Sequence, residues 1–411
     1  MAAQSHSLAC DQRPIFLTVA RGSTPRAFQG GPPVNILFLA LDIDLSVQRG
    51  DSIHTRELSR FLAARGHRVD LVTATDGGVE ILGVHRHRRP NDGDLRTLRF
   101  CRAIAKETRS TIIYERRLSP KIAFGVNRLT GLPYVVEING IEEEAAMQGR
   151  GRRSALGGVK NQLRRRMMLR AKGVVTVSPG LGERVHSRYN VPRDRISVVP
   201  NGVDTDRFRP LDPKEARARL GWAEAPWVVF VGNLVAWQGL ETLVRAAPDA
   251  IEACGARFAI VGDGQLRASL EALARKLEIA DHVSFAGSVP YETVPTYIGA
   301  AAACVAPFTR ARNEAIGLSP LKVYEYLACA RPVIASAVPG ISELMQRSGA
   351  GIVVPPDDPR ALAAALRGVL GKPTEAREMG ERGRAFAVNE CSWKRSAESV
   401  ERALESALRA A

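Results

Sequence analysis

The sequence predicts an α/β protein made of two Rossmann-like domains, and three observations carry that prediction. Val34 to Leu41 (VNILFLAL) is an unbroken apolar run, the pattern of a central parallel strand buried on both faces. A loop (DIDLSVQRGDS), a helix from His54 to Arg65 closed by Gly66, and a second strand from Val69 to Thr73 follow it, which is the opening order of a doubly wound sheet. The same order begins again at Trp227 to Val231 and runs through a helix from Leu240 to the strand Phe258 to Val261. A chain of 411 residues also exceeds what one ordinary core supports. The expected division is a loose N-terminal extension over residues 1–33, a first domain over 34–205, a linker bearing Pro210 and Pro213, a second domain over 222–390, and a terminal helical segment over 391–411.

Each further element follows from local pattern. Thr111 to Tyr114 (TIIY), Tyr134 to Ile138 (YVVEI), Val174 to Val177 and Ile196 to Val199 read as the remaining strands of the first domain, the last running into PNGVD and the linker. In the second half, Phe258 to Val261 leads into Gly262-Asp263-Gly264, a lone GxG that serves either a tight strand-to-helix turn or a phosphate loop. Val283 to Gly287 and Ala303 to Pro307 are further strands. Residues 313–336, NEAIGLSPLKVYEYLACARPVIAS, hold the most informative pattern. Ser319 suits an N-cap and Pro320 the first helical position, so a helix is expected from Leu321 to Ala330, stopped by Pro332 before the strand Val333 to Ala335. A helix that opens at strand ends presents unpaired N–H groups to an anion. Lys322 and Glu325, three apart, share one face. A base for phosphate and a carboxylate for ribose hydroxyls suit a nucleotide, although an exposed ion pair on an ordinary helix has the same spacing.

Composition bounds the function. With 45% apolar and 25% charged residues the chain is globular. Its cysteines (Cys10, Cys101, Cys254, Cys304, Cys329, Cys391) form no CxxC pair and no ligand spacing with His, which argues for a reducing compartment and against zinc. No apolar run approaches the roughly 18 residues of a membrane span, and PIFLTVA after Arg13 is too short and too late for a signal sequence, so a cytoplasmic protein is expected. The net charge of +15 asks for an anionic partner. Zinc-finger spacing and RNP-type aromatic motifs are missing and aromatics make up only 6%, so nucleic acid is not that partner. Residues 150–172 carry nine Lys and Arg and no acid, with Val159, Leu163, Met167 and Arg170 at helical spacing. That suits peripheral binding to an anionic membrane surface, or simply a solvated face over a buried stripe. Asp42-x-Asp44 and Asp204-x-Asp206 copy the spacing of metal-binding DxD motifs, but both sit in expected loops, and no metal site is expected.

Taken together, SPLK-x-x-EY at Ser319 to Tyr326, the segments YERR and PYVVEING, GNLVAWQGLETL, VGDG and PGISEL resemble the family 4 glycosyltransferases, retaining enzymes of the GT-B fold. The resemblance is to the subgroup with SPLK-x-x-EY in place of the full Glu-x7-Glu motif. It implies two Rossmann-like domains facing each other across a cleft, the first holding the acceptor and the second the nucleotide sugar, with the last helix crossing back to the first domain. It implies transfer of a sugar from a UDP- or GDP-linked donor to a hydroxyl of a glycan, lipid-linked or small-molecule acceptor, with no separate cofactor and no metal. Glu325 matches the Glu that holds the donor ribose, whereas the position of the first Glu of the motif is Gly317, and Ala330 stands where Gly is usual. Gly50 and Asp51 replace a Gly pair near the donor phosphates. Gly262 and Gly264 correspond to a loop at the donor cleft, Ser319 and Leu321 to the helix opening, and Val289 to the segment that meets the base through its backbone. His54 and Asn139 fall on the acceptor side; Asn139, near Glu137 and Glu142, stands about where many members place a His beside the reacting carbon. Asn233 and Gln238 occupy the places of the Arg and Lys that usually hold the diphosphate. Lys322 is therefore the expected compensating cation, with Arg310 and Arg312 upstream. Two other readings stay open: a sugar-nucleotide 2-epimerase of the same architecture, and a non-catalytic polyanion binder. An NAD enzyme would want GxGxxG after the first strand, which DIDLSVQRGDS lacks.

Overall fold

The apolar runs do form strands, and they assemble into two wholly parallel sheets. In the computed structural model, which describes residues 32–140 and 157–411 apart from residues 48, 76, 78, 79 and 92, the first sheet holds β1 (Asn35–Asp44), β2 (Arg68–Thr75), β3 (Val84–Arg88), β4 (Ile112–Arg116), β5 (Tyr134–Ile138), β6 (Gly173–Thr176) and β7 (Ile196–Val198) in the order β3-β2-β1-β4-β5-β6-β7. The second holds β8 (Trp227–Val231), β9 (Arg257–Val261), β10 (Val283–Gly287), β11 (Ala303–Ala306), β12 (Val333–Ser336) and β13 (Gly351–Val354) in the order β10-β9-β8-β11-β12-β13. β1 shows why an unbroken apolar run is needed at the centre. Ile36, Phe38 and Ala40 enter one core layer while Leu37, Leu39 and Leu41 enter the other, so both faces are dry. Strand order reverses at β1/β4 in the first sheet and at β8/β11 in the second. Open parallel sheets bind ligands outside the carboxyl ends of the strands at such points.

Three differences from the sequence-based expectation have local causes. The helix after β1 begins at Gly50, not His54, and runs to Ala64, so Ser52 and Ile53 are buried helical residues and not loop. β3, VHRHR, was not expected, because a half-exposed edge strand lacks the apolar signature of the inner strands. The basic helix spans Gly157–Arg170, yet of the expected stripe only Met167 is buried, Val159 and Leu163 being 66% and 48% exposed. Residues 1–31 of the expected extension, residues 150–156 of the basic segment and Glu142 lie outside the described residues.

The two sheets are tied by two chain crossings that touch. Val203 N–H donates to the Cys391 carbonyl at 2.7 Å, and Trp393 N–H donates to the Val203 carbonyl at 3.2 Å. A Cβ on Gly202 would lie 2.5 Å from Trp393 backbone atoms, so only glycine admits this approach. Trp393 is fully buried and opens the helix Trp393–Arg409, whose Val400, Leu404 and Ala407 pack in the same core as β1.

The helix of the most informative segment spans Leu321–Ala328 and ends in a Schellman turn: Arg331 N–H donates to the Tyr326 carbonyl at 3.1 Å, with Ala330 left-handed at φ 55°. A Cβ in that conformation is strained, which is why glycine is the usual residue there. Ala330→Gly is expected to raise stability by about 0.5–1 kcal/mol, since relief of strain of about 1–2 kcal/mol is partly offset by the entropy of a more flexible unfolded chain. Denaturant unfolding of the two proteins checks this; a lower midpoint for the glycine variant would refute it.

Candidate functional site

On the second sheet, the site grows from the loop after β8 and from the helix Leu321–Ala328. Lys322 reaches back across that loop. Its Nζ donates to Gln238 Oε1 at 2.7 Å and lies 3.8 Å from the centroid of the Phe230 ring, with Phe308 on another side at 5.7 Å. A Cβ at Gly232 would come within 2.5 Å of this Nζ, so glycine leaves the room the ammonium occupies. Loss of water pushes the Lys322 pKa well below its usual value, and the Glu325 carboxylate opposes that only in part. One turn along, buried Glu325 accepts from the Tyr291 hydroxyl at 2.8 Å through Oε1. Burial lifts its carboxyl to about 7, while Tyr291, Lys322 and Arg207 pull the other way. The Tyr291 ring is covered by the guanidinium groups of Arg56 and Arg207 at 5.3 and 5.2 Å. Residues from both halves of the chain thus converge on Glu325.

The glycines of the GxG loop are explained by packing. A Cβ on Gly262 would lie 2.1 Å from the Gly232 carbonyl oxygen, and one on Gly264 would lie 2.5 Å from that of Leu234. Both hold this loop against the β8 loop, which carries exposed Asn233. Val289 packs on the second domain's core, beyond β10. Arg310 is exposed and faces Glu314, whereas Arg312 lies over the Trp237 ring at 5.2 Å, beside the turn that presents Gln238. The DxD carboxylates serve turns: Asp44 accepts from Ser46 and Thr75, and Asp204 from the N–H groups of Asp206 and Arg207.

On the first sheet, Glu137 is the penultimate residue of β5 and is 1% exposed. His54 Nε2 lies 2.6 Å from its Oε1, Asn139 Nδ2 donates to the same oxygen at 2.5 Å, and Arg116 Nε stands 3.6 Å away. Burial alone would raise this carboxyl, but His54 and Arg116 outweigh it and hold it at about 2. So ionised a group is an anchor for cations and a very weak base. His54 is 6% exposed, and its Nδ1 meets Asn201 Oδ1 at 2.7 Å, so the ring sits between the Asn201 amide and the Glu137 carboxylate. Asn139 is half-buried, with its amide turned to Glu137.

The two sides meet at the helix openings. Gly50, first residue of its helix, lies where a Cβ would touch Leu321 Cδ1 at 3.6 Å. Asp51 beside it pairs with Arg49. Ser319 corrects the sequence reading. The N-cap is Pro320, no side chain caps the helix, and the Ser319 hydroxyl instead accepts from Asn201 N–H at 2.8 Å. The Ser319 carbonyl accepts from Asn201 Nδ2 at 2.5 Å. Ser178 Oγ donates to the Ile316 carbonyl at 2.5 Å, a second polar tie across the same seam. The structure therefore brings together Lys322, Glu325 and Gln238 on one side, His54, Glu137 and Asn139 on the other, and Gly50, Ser319 and Leu321 between them. Sequence reasoning missed Tyr291, Asn201, Arg56 and Arg207. Only Asn201, in PNGVD, carried any signal, and there it read as a linker residue.

The fold is the GT-B fold of glycosyltransferases. It superimposes on sucrose-phosphate synthase from Thermosynechococcus elongatus with a TM-score of 0.74 at 22% identity, covering 92% of this chain and 100% of that one. It also superimposes on WaaG, a glycosyltransferase involved in lipopolysaccharide biosynthesis, with a TM-score of 0.69 at 18% identity over 89% of this chain and 98% of that one. Residues 49–207 match the family model described as Glycosyltransferase Family 4, and residues 225–372 match the one described as Glycosyl transferases group 1. Among curated proteins, the chain is 33% identical over 210 residues to a GDP-mannose-dependent alpha-(1-6)-phosphatidylinositol monomannoside mannosyltransferase of Mycolicibacterium smegmatis, covering 49% of this chain and 54% of that protein. The chain spans about half the length of the curated relatives it matches.

The Lys322 environment makes a pH prediction. If an anionic diphosphate binds beside the ammonium, it lifts the depressed pKa, and binding then takes up a proton. Affinity for UDP or GDP should then fall as pH rises toward the ordinary lysine pKa of about 10.4, with a shallower fall in Lys322→Met. Calorimetric titrations across that range check it, and equal slopes for the two proteins would remove Lys322 from the diphosphate.

Proposed function

We propose that the protein is a retaining glycosyltransferase that moves a sugar from a nucleoside-diphosphate sugar to an acceptor hydroxyl. The observation that carries this reading is the pairing of Lys322 and Glu325 on the first turns of an uncapped helix, at the β8/β11 reversal and against the N-terminal turn of the helix Gly50–Ala64. Glu325 holds the donor ribose. Lys322 and the first N–H groups of its helix hold the diphosphate, in place of the Arg and Lys whose positions Asn233 and Gln238 fill. As the bond from the anomeric carbon to the phosphate oxygen breaks, negative charge grows on the diphosphate, where Lys322 stabilises it. The acceptor hydroxyl attacks from the same face and its proton passes to the departing phosphate oxygen, so no protein base is required. Asn139 offers a hydrogen bond to sugar hydroxyls, and Glu137 keeps it oriented. The alignment of donor and acceptor supplies much of the remaining rate.

Glu325→Ala should weaken nucleoside-diphosphate binding by about 1.5–3 kcal/mol, roughly ten- to a hundredfold, with the fold intact by circular dichroism. A panel of UDP-, GDP-, ADP- and TDP-sugars, read by thermal shift, selects the donor. Nuclear magnetic resonance of the product then reads the anomer, where retention is expected. Unchanged affinity in the variant, or an inverted product, would overturn the assignment.

We also propose that the acceptor is lipid-linked and reached from an anionic membrane surface. The support is the helix Gly157–Arg170, which exposes Val159 and Leu163 among its bases, and the lipid acceptor in the mannosyltransferase relative's name. Among the described residues, no helix is long and apolar enough to cross a membrane. Flotation with liposomes should recover the protein with anionic lipid and not with neutral lipid alone. Equal recovery from both would exclude an electrostatic anchor.

A further inference from the structure

Two histidines are buried near the two ends of the helix Gly50–Ala64, each with Nε2 close to a carboxylate and Nδ1 in a hydrogen bond. His67 Nδ1 accepts from the Val34 N–H at 3.2 Å, so that nitrogen carries no proton. Its Nε2 faces Glu401 at 3.2 Å, and burial pushes its pKa down. It is a neutral imidazole with one defined tautomer.

His54 is different because Asn201 cannot be turned round. The Asn201 amide nitrogen is fixed by the Ser319 carbonyl, so its oxygen must face His54, and His54 Nδ1 must carry a proton to meet that oxygen at 2.7 Å. On the other side of the ring, Nε2 is 2.6 Å from a Glu137 oxygen. Asn139 donates to that same oxygen and Arg116 stands beside it, which keeps the carboxylate ionised. Two lone pairs do not approach so closely, so Nε2 carries a proton as well. Around the pair, Tyr114 faces Glu137 from β4, the Trp393 and His54 rings meet edge to face with centroids 5.3 Å apart, and Glu57, one turn on, is taken by Arg60.

We infer that His54 is a buried imidazolium and that His54 and Asn201 are positioning residues, carrying a rigid polar link from Glu137 of the first sheet to Ser319 at the opening of the Lys322–Glu325 helix. Without the imidazolium the Asn201 oxygen loses its donor, and Asn201 cannot compensate by flipping without losing the Ser319 carbonyl; the helix opening is then held across the seam by the Asn201 N–H and Ser178 ties, with its tie to Glu137 gone. The effect on donor binding rests on the reading of that helix as the donor site; the charge state of His54 does not.

The test uses the full chain. Nitrogen-15 spectra of the imidazoles at neutral pH should show one buried His with both nitrogens protonated, absent in His54→Gln, and His67 with a single protonated nitrogen. Affinity for UDP and GDP at neutral pH should be about tenfold lower in Asn201→Ala, and His54→Gln should show the same loss. If Asn201→Ala does not fold, His54→Gln carries the test. A neutral His54 at neutral pH, or parental affinity in these variants, would overturn the inference. If the parent binds neither nucleotide, the donor-site reading fails, while the imidazole spectra still decide the state of His54.

Discussion

The arrangement of the site depends on one amide. Asn201 bonds at both ends, to His54 on the first domain and to Ser319 on the second, and it lies two residues before the point where the two chain crossings pair at Val203. Arg56 and Arg207 cover the ring of Tyr291, whose hydroxyl donates to Glu325. The ion pair of His54 and Glu137 gives the amide a fixed base. A buried pair of this kind contributes little net stability, because desolvating both charges costs about what their attraction returns. Its value lies in direction: breaking it leaves an unpaired buried charge, so alternative domain arrangements are penalised.

The donor side uses the opposite device. Lys322 is placed where its charge is least comfortable, over an aromatic face with a neutral amide as its hydrogen-bond partner. Such a group gains most when an anion arrives, since the ligand restores what burial removed. On the proposed reading, this desolvated ammonium and the uncapped N–H groups of its helix serve a diphosphate with Asn233 and Gln238 where cations are usual, each worth more in a low-dielectric setting than in water.

Much of this was legible in the sequence, for physical reasons that also mark the limit. Runs such as VNILFLAL and YVVEI are strands because both faces must be dry, and both strand-helix-strand openings could be seen. The Lys322–Glu325 spacing survives because helical periodicity is local. Ser319 was misread because a serine before a proline has the composition of a cap, while its real partner, Asn201, lies 118 residues earlier. Asn201 and His54 are 147 residues apart and neither breaks a local pattern, so nothing short of the folded chain brings them together. VHRHR was missed because an edge strand needs no apolar alternation. The glycines at 262 and 264 were visible, but the reason for them, the approach of the Gly232 and Leu234 carbonyls, was not.

His54, Asn201 and Ser319 act as one unit across the seam. A double-mutant cycle of His54→Ala and Ser319→Ala, measured by denaturant unfolding, tests this, because both side chains bond Asn201, His54 through its amide oxygen and the Ser319 hydroxyl through its backbone N–H. A coupling energy above about 0.5 kcal/mol is expected, the second substitution costing less once the first is made. Additive losses, equal to the sum of the single variants within about 0.3 kcal/mol, would contradict it.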